Sequence, residues 1–308
     1  MVKQKKKTTV IGVPFGMGAG VDGAQFGAAR IMAEGGLLAR LERLGLDYEA
    51  AILSETERKL AASDSSDNGE SERLKHLAEV LDMNERLADA VHQAVNSGSL
   101  PLVLGGDHSI AMGTLAGMAQ HHNNIGVIWL DAHSDMNTAD SSPSGNIHGM
   151  SLAASLGMGD SRLTALKGIT PKLRPEHVAI IGARSLDDGE KEFIRSLGIA
   201  CYTMHDIDRL GIAVIMERVL KQMQDAGCRV HVSFDIDVVD PREAPGTGTP
   251  VRGGLSYREA HFVMELLYQS GLVASAELVE VNPLLDIDDK TAKLAAELIG
   301  SLLGEQIL

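Results

Sequence analysis

One stretch constrains this chain more than any other. Ile125-Gly-Val-Ile-Trp-Leu130 runs straight into Asp131-Ala-His133-Ser-Asp135. An apolar run of strand length that breaks into acid, imidazole and acid is a buried strand emptying into a site. In extended chain the side chains at i, i+2 and i+4 point the same way. Asp131, His133 and Asp135 therefore converge just past the strand's carboxyl end. Two carboxylates and an imidazole suit a divalent metal of intermediate hardness, such as manganese. Taken alone, the same residues also serve as turn caps or a surface ion pair.

The rest of the chain supplies the sheet such a strand needs. Strand-like runs fall at about 9–13, 48–53, 101–104, 125–130, 178–182, 199–203, 229–235 and 273–280. Helical spacing fills the gaps at about 25–44, 77–97, 109–121, 187–197, 212–226, 256–269 and 289–303. Eight strands alternating with helices predict an α/β fold with a parallel sheet covered on both faces. Periodicity does not separate an open sheet from a barrel, but in both the site lies at the strands' carboxyl ends. The α/β rhythm continues across the polar run Ala62-Ser-Asp-Ser-Ser-Asp-Asn-Gly-Glu70, so a single domain over 1–308 is expected, with a basic tail at 1–7 and a mobile surface loop at 54–76.

Composition excludes several classes. Lys and Arg number 28 against 42 Asp and Glu, a net charge of −14, so no nucleic-acid partner is expected. No segment approaches the roughly 18 apolar residues of a membrane span. The two cysteines, Cys201 and Cys228, match no metal spacing and read as thiols of a reducing compartment, which predicts a soluble cytoplasmic protein. Gly18-Ala-Gly20-Val-Asp-Gly23 formally matches a dinucleotide fingerprint, but Pro14 and further loop residues part it from the strand, where a tight turn is required.

The chemistry of 131–135 recurs at two other strand ends. Leu102-Val-Leu104 leads into Gly105-Gly-Asp-His108-Ser, and Val230-His-Val-Ser-Phe234 into Asp235-Ile-Asp237. Together the three ends carry two His and four Asp. Four like charges do not share a small volume without cations, because each uncompensated buried carboxylate costs several kcal/mol. Six oxygen-rich ligands exceed what one ion needs and suit two ions.

At these motifs, together with Ser233-Phe-Asp-Ile-Asp-Val-Val-Asp240-Pro, Ala244-Pro-Gly-Thr-Gly-Thr249-Pro and Glu277-Leu-Val-Glu280-Val-Asn-Pro283, the chain resembles the ureohydrolase family, and within it the arginase branch. The resemblance implies a three-layer α/β/α fold with an eight-stranded parallel sheet, two Mn2+ ions, a trimeric or hexameric homo-oligomer, and hydrolysis of L-arginine to L-ornithine and urea by a hydroxide bridging the metals. It implies His108, Asp131, His133, Asp135, Asp235 and Asp237 as metal ligands. Asp135 becomes the proton acceptor, His148 the proton shuttle and Glu280 the partner of the substrate guanidinium. Asn137, Ser144 and Asn146 would hold the α-carboxylate, Asp187 and Glu190 the α-amino group, and Thr249 would line the pocket. Asp107 and Asp240 are expected to support ligands rather than bind metal.

Two positions depart from the branch. Val238 stands where arginases usually carry Gly, and Gly20-Val-Asp-Gly-Ala-Gln25 lacks the family's Gly-Pro. Neither touches a metal ligand. Agmatinase or another guanidino-compound hydrolase is the nearest alternative activity, and a non-catalytic metal-binding regulator is the alternative of another class.

Overall fold

The computed structural model describes residues 7–55 and 73–306. The basic tail before Lys7 and the greater part of the 54–76 loop lie outside them.

Eight parallel strands form one sheet: β1 Thr8–Gly12, β2 Tyr48–Ile52, β3 Leu100–Leu104, β4 Ile125–Leu130, β5 Val178–Ala183, β6 Ala200–Thr203, β7 Arg229–Asp235 and β8 Val273–Val279. Their order is β2-β1-β3-β8-β7-β4-β5-β6. The sheet is open and doubly wound, which removes the barrel. Helices α1 Gly27–Ile31, α2 Leu37–Arg43, α3 Leu77–Asn96, α4 Ala111–Ala119, α5 Ser151–Ser155, α6 Ser161–Thr164, α7 Asp188–Leu197, α8 Met204–Leu210, α9 Ile212–Asp225, α10 Tyr257–Ser270 and α11 Lys290–Leu302 complete the described chain.

Side-chain alternation along the strands divides the core in two. Val10, Leu102, Leu104, Ile128, Leu130, Val232 and Phe234 pack with α2, α9, α10 and α11 on one face. Their neighbours Ile11, Val103, Val127, Trp129 and Ile180 pack with α3, α4 and α5 on the other. A period of two with apolar residues on both sides is what a sheet buried on both faces requires. Three layers follow.

The helix expected over 25–44 is broken. Helix α1 ends at Ile31 and α2 begins at Leu37, with Gly35 at φ +76° between them. A Cβ at Gly36 would stand 2.4 Å from the Ile31 carbonyl oxygen, so the glycine pair permits a tight reversal that continuous apolar spacing conceals. Helix α8 was not expected either; a capping box between Thr203 and Asp206 starts it directly after β6.

Strand order places the site. Strands β3, β8, β7 and β4 are neighbours in the middle of the sheet; the chain comes in to β3 from the β2 edge, crosses to β4 and runs outward to β6, and β7 and β8 later fill the gap. Their carboxyl ends therefore border the crevice at the switch point, where open α/β sheets bind ligands.

Candidate metal centre and active site

Each ligand is delivered by the end of one of these strands. After β3, two glycines let the chain turn beneath the neighbouring loop: a Cβ at Gly106 would lie 2.2 Å from the Phe15 carbonyl oxygen. Asp107 then caps the short 3-10 turn bearing His108, accepting from Ser109 N at 2.9 Å, and its other oxygen takes Gly18 N at 2.8 Å. Both oxygens are thus engaged by backbone donors, and Asp107 belongs to neither group of candidate ligands.

His108 is 1% exposed, and its Nδ1 faces Asp135 at 3.0 Å, Asp235 at 3.2 Å and Asp131 at 3.3 Å. Nδ1 has no hydrogen-bond partner by geometry, although three carboxylates surround it. His133 Nδ1 lies 3.1 Å from Asp237 and 3.4 Å from Asp131. Five of the six expected ligands form two groups, His108-Asp131-Asp235 and Asp131-His133-Asp237; Asp135 is in neither, though its Oδ2 lies 3.0 Å from His108 Nδ1. Asp131 belongs to both, its Oδ2 toward His108 and its Oδ1 toward His133. A shared carboxylate between two three-ligand groups fits a pair of cations, and an orphaned buried imidazole nitrogen among acids fits a ligand atom.

The electrostatics point the same way. Burial alone would lower His133, but Asp131 and Asp237 outweigh it and drive the imidazole up to about 12. His108 is likewise held well above its ordinary range against burial by Asp135, Asp131 and Asp235. Burial and then Asp131 raise Asp135 to about 6, and burial with Asp237 and Asp131 lifts Asp235 well above the carboxylate range. This is excess negative charge that cations neutralise.

Two acids of the site sit in left-handed backbone: Asp135 at φ +52° and Glu280 at φ +64°. For side chains larger than glycine this costs on the order of 1–3 kcal/mol. Glu280 is held there by its own N–H bonding to Gly106 O at 2.9 Å. Its Oε1 accepts from the His108 backbone N–H at 2.8 Å and meets His148 Nδ1 at 3.0 Å. Burial alone would lower His148, yet Glu280 raises it to about 9.

A cavity of about 150 Å³ opens over this cluster, lined by His133, Asp135, Asp235 and His148 and, farther out, by Asn137, Ser144, Asn146, Asp187, Glu190 and Thr249. All expected substrate-binding positions except Glu280, which lies behind His148, thus border one space. Ser142, Pro143 and Ser185 border it too, and no sequence signal distinguished them from loop residues. Asn137 donates to Asp187 at 2.9 Å, and Thr249 to Asp237 at 3.0 Å. Glu190 is 4% exposed and spends its oxygens on Ser134 Oγ, Met136 N and Asp187 N. Its carboxylate binds the two loops together.

The glycine-rich loop has a packing role. A Cβ at Gly20 would stand 2.6 Å from Asn146 Nδ2 and one at Gly23 would overlap Asn282, while Gly18 O accepts from His148 N at 3.1 Å. The loop presses on the cavity wall, and only glycines allow the approach. Val238, one of the two departures, is buried against Gly182, whose missing Cβ leaves it room away from the cavity.

An open parallel sheet with two acid-rich ligand groups at its switch point defines a binuclear metal enzyme. The model of the Arginase family matches residues 6–304. The chain is 51% identical to an arginase of Bacillus caldovelox, covering 98% of this chain and all of that one, and 50% identical to an arginase of Bacillus subtilis, covering 98% and 99%. A crystal structure of Bacillus subtilis arginase superposes with a TM-score of 0.91 at 48% identity, covering 98% of this chain and 100% of that one. The chain belongs to the arginase family.

Proposed function

We propose that the chain hydrolyses L-arginine to L-ornithine and urea, using two Mn2+ ions. It is a hydrolase acting on a linear amidine C–N bond, as its family is. The observation that carries the arginine reading is the cavity: one small space has the ligand cluster on its floor and, on its wall, amide and hydroxyl donors at Asn137, Ser144 and Asn146 beside the Asp187 carboxylate. Donors facing an acid is the arrangement an α-amino acid head requires. Relatives named arginase over the full chain support the same reading.

His108, Asp131, His133, Asp135, Asp235 and Asp237 would hold the metals, and the oxygen-rich donor set favours manganese over zinc. The metal pair, when bound, supplies Lewis acidity and lowers the pKa of water, giving a nucleophile near neutral pH. Glu280 anchors the guanidinium; its Oε1 is occupied by His108 N–H and His148, which leaves Oε2 for a cation. That anchoring converts a poor electrophile's encounter into a positioned one. Asp135, which borders the cavity, would accept a proton and pass it to the leaving amine. His148, also on the wall with its side chain 18% exposed, exchanges protons with solvent. Asp187 takes the α-ammonium directly, and Glu190 contributes by holding Asp187.

Urea release by purified, chelator-stripped protein, with and without Mn2+, on L-arginine and agmatine in parallel, tests this. Manganese-dependent urea and ornithine from arginine alone is the expected result. Turnover of agmatine but not arginine would overturn the reading of the Asn137–Asn146 loop and Asp187. We further propose that 1–308 works as one unit, as a trimeric or hexameric homo-oligomer in the cytoplasm. The family resemblance supports the assembly, and the free thiols Cys201 and Cys228 support a reducing compartment. No described helix is long and apolar enough to cross a membrane.

A further inference from the structure

The α3/α4 face of the central strands breaks the pattern of the sheet. On β7, Val230, Val232 and Phe234 pack into the opposite core, while the alternate positions are His231 and Ser233. On β8 the matching positions are Ser275 and Glu277, and the register sets His231 beside Ser275 and Ser233 beside Glu277. All four are at most 1% exposed. Central strands covered on both faces ordinarily take apolar residues here, and a buried carboxylate is costly unless it is bonded.

These residues form a chain of contacts leading to a metal ligand. His108 Nε2 meets Ser233 Oγ at 2.7 Å, and Ser233 Oγ donates to Glu277 Oε1 at 2.7 Å. Behind them His231 Nε2 lies 3.3 Å from the same Glu277 oxygen, and His231 Nδ1 meets Ser275 Oγ at 2.9 Å. Burial alone would raise Glu277, but the His231 imidazole beside it leads the contacts that hold the carboxyl below its ordinary value, in keeping with Ser233 Oγ donating to it. An ionised carboxylate only accepts. Ser233 must then give its single proton to Glu277 and accept at Oγ from His108 Nε2–H. That puts the imidazole proton on Nε2 and leaves the Nδ1 lone pair toward Asp131, Asp135 and Asp235.

We propose that Glu277, acting through Ser233 and backed by His231, is a positioning residue that sets the tautomer and orientation of His108 for metal binding. The proposal rests on the reading of His108 as a metal ligand. Nothing in Glu277 reaches the cavity, and it lies one residue layer beneath the ligands. Supporting partners of ligating histidines are typically worth 10- to 100-fold in metal affinity.

The test is a Mn2+ titration of chelator-stripped full-length protein, reading free Mn2+ by its electron paramagnetic resonance signal. Glu277→Gln lets the new amide donate to Ser233, whose hydroxyl can then donate to Nε2 and favour the wrong tautomer. One of the two binding steps should weaken roughly 10- to 100-fold, the other staying within about threefold. Ser233→Ala, which removes one atom from the middle of the relay, should weaken the same step, and the double variant should be no worse than the poorer single one. Ser233→Ala decides the matter if Glu277→Gln fails to fold. Wild-type affinity at both steps in Ser233→Ala overturns the proposal. So do two equally weakened steps accompanied by a lower melting temperature in chelator, the mark of a merely structural role. His108→Ala in the same titration separates the layers: if it loses a step while the relay variants do not, the relay fails and the ligand reading stands; if it loses none, both fail.

Discussion

Replacing Glu280 by glutamine removes one charge and almost no volume. Glu280 is 2% exposed, and its Oε1 already accepts the His108 backbone N–H. A glutamine carbonyl keeps that bond, so the 3-10 turn carrying His108 has no reason to move. What is lost is the desolvated negative charge proposed to face the guanidinium. Removing one partner of a buried ion pair costs about 3–5 kcal/mol. At about 1.4 kcal/mol per factor of ten, Glu280→Gln should lower kcat/KM for arginine roughly 140- to 3,700-fold. The share that falls in kcat measures how far the anchor positions the reacting carbon, and the share in KM measures uniform binding. The assay is initial-rate urea release at saturating Mn2+, with metal content checked by elemental analysis. Stability should fall as well, because the glutamine leaves the His148 imidazole without the carboxylate that pairs with it, so kcat/KM is compared at a temperature where both proteins remain folded. A variant with full metal content and kcat/KM within threefold of wild type would refute the assignment of Glu280 as the guanidinium's partner.

Trp129 is the chain's one tryptophan; it is buried, stacks on His108 with centroids 4.1 Å apart, and donates to Asp131 at 3.0 Å. Mn2+ added to chelator-stripped protein should therefore quench its emission in step with binding, and an unchanged spectrum at saturating metal would contradict the cluster's position. Asn146→Ala should raise KM for arginine while leaving any weak agmatine turnover unchanged, since agmatine lacks the α-carboxylate; equal losses on both substrates would assign the loop to something else. Asp240 accepts from Arg242 N, Arg242 Nε and Gly253 N, and although burial pushes it up these bonds hold it down to about 2. A depressed folded value stabilises the fold above the ordinary carboxylate range and is lost as pH falls from about 4 toward about 2. With Arg242 widely exposed the gain is screened to about 1–2 kcal/mol. Asp240→Asn should lower the melting temperature at pH 7 by roughly 2–6 °C, the gap to wild type closing on acidification; a gap independent of pH would mean that packing, not charge, is responsible.

Much of this protein was legible without coordinates because its information is local. Strand-length apolar runs with alternation to two faces specify a sheet buried on both sides. Acids and imidazoles at strand ends announce where charge gathers, but not by the expected i, i+2 alternation: Asp135 is in left-handed backbone, Ile236–Val238 is a 3-10 turn, and Asp235 and Asp237 join different groups. The six candidate metal-binding positions and the polar 137–146 loop could be named from such patterns and from motif resemblance, and five of the six fall in the two groups the structure brings together. The break between α1 and α2 was missed because a glycine pair leaves apolar spacing undisturbed. Other features are non-local, and no window of sequence contains them. Every parallel strand offers its neighbours the same ladder of backbone bonds, so the order that brings β3, β8, β7 and β4 side by side is decided by which helices cover which face. That order alone gives Asp131 one oxygen for each histidine and aims Oε1 of Glu280 at His148. It also lays Ser233 and Glu277 beneath His108, where residues 125 and 169 positions away in sequence meet because two strands happen to be neighbours. Composition and spacing determined what chemistry the chain carries; the packing of the sheet decided which atoms face one another to perform it.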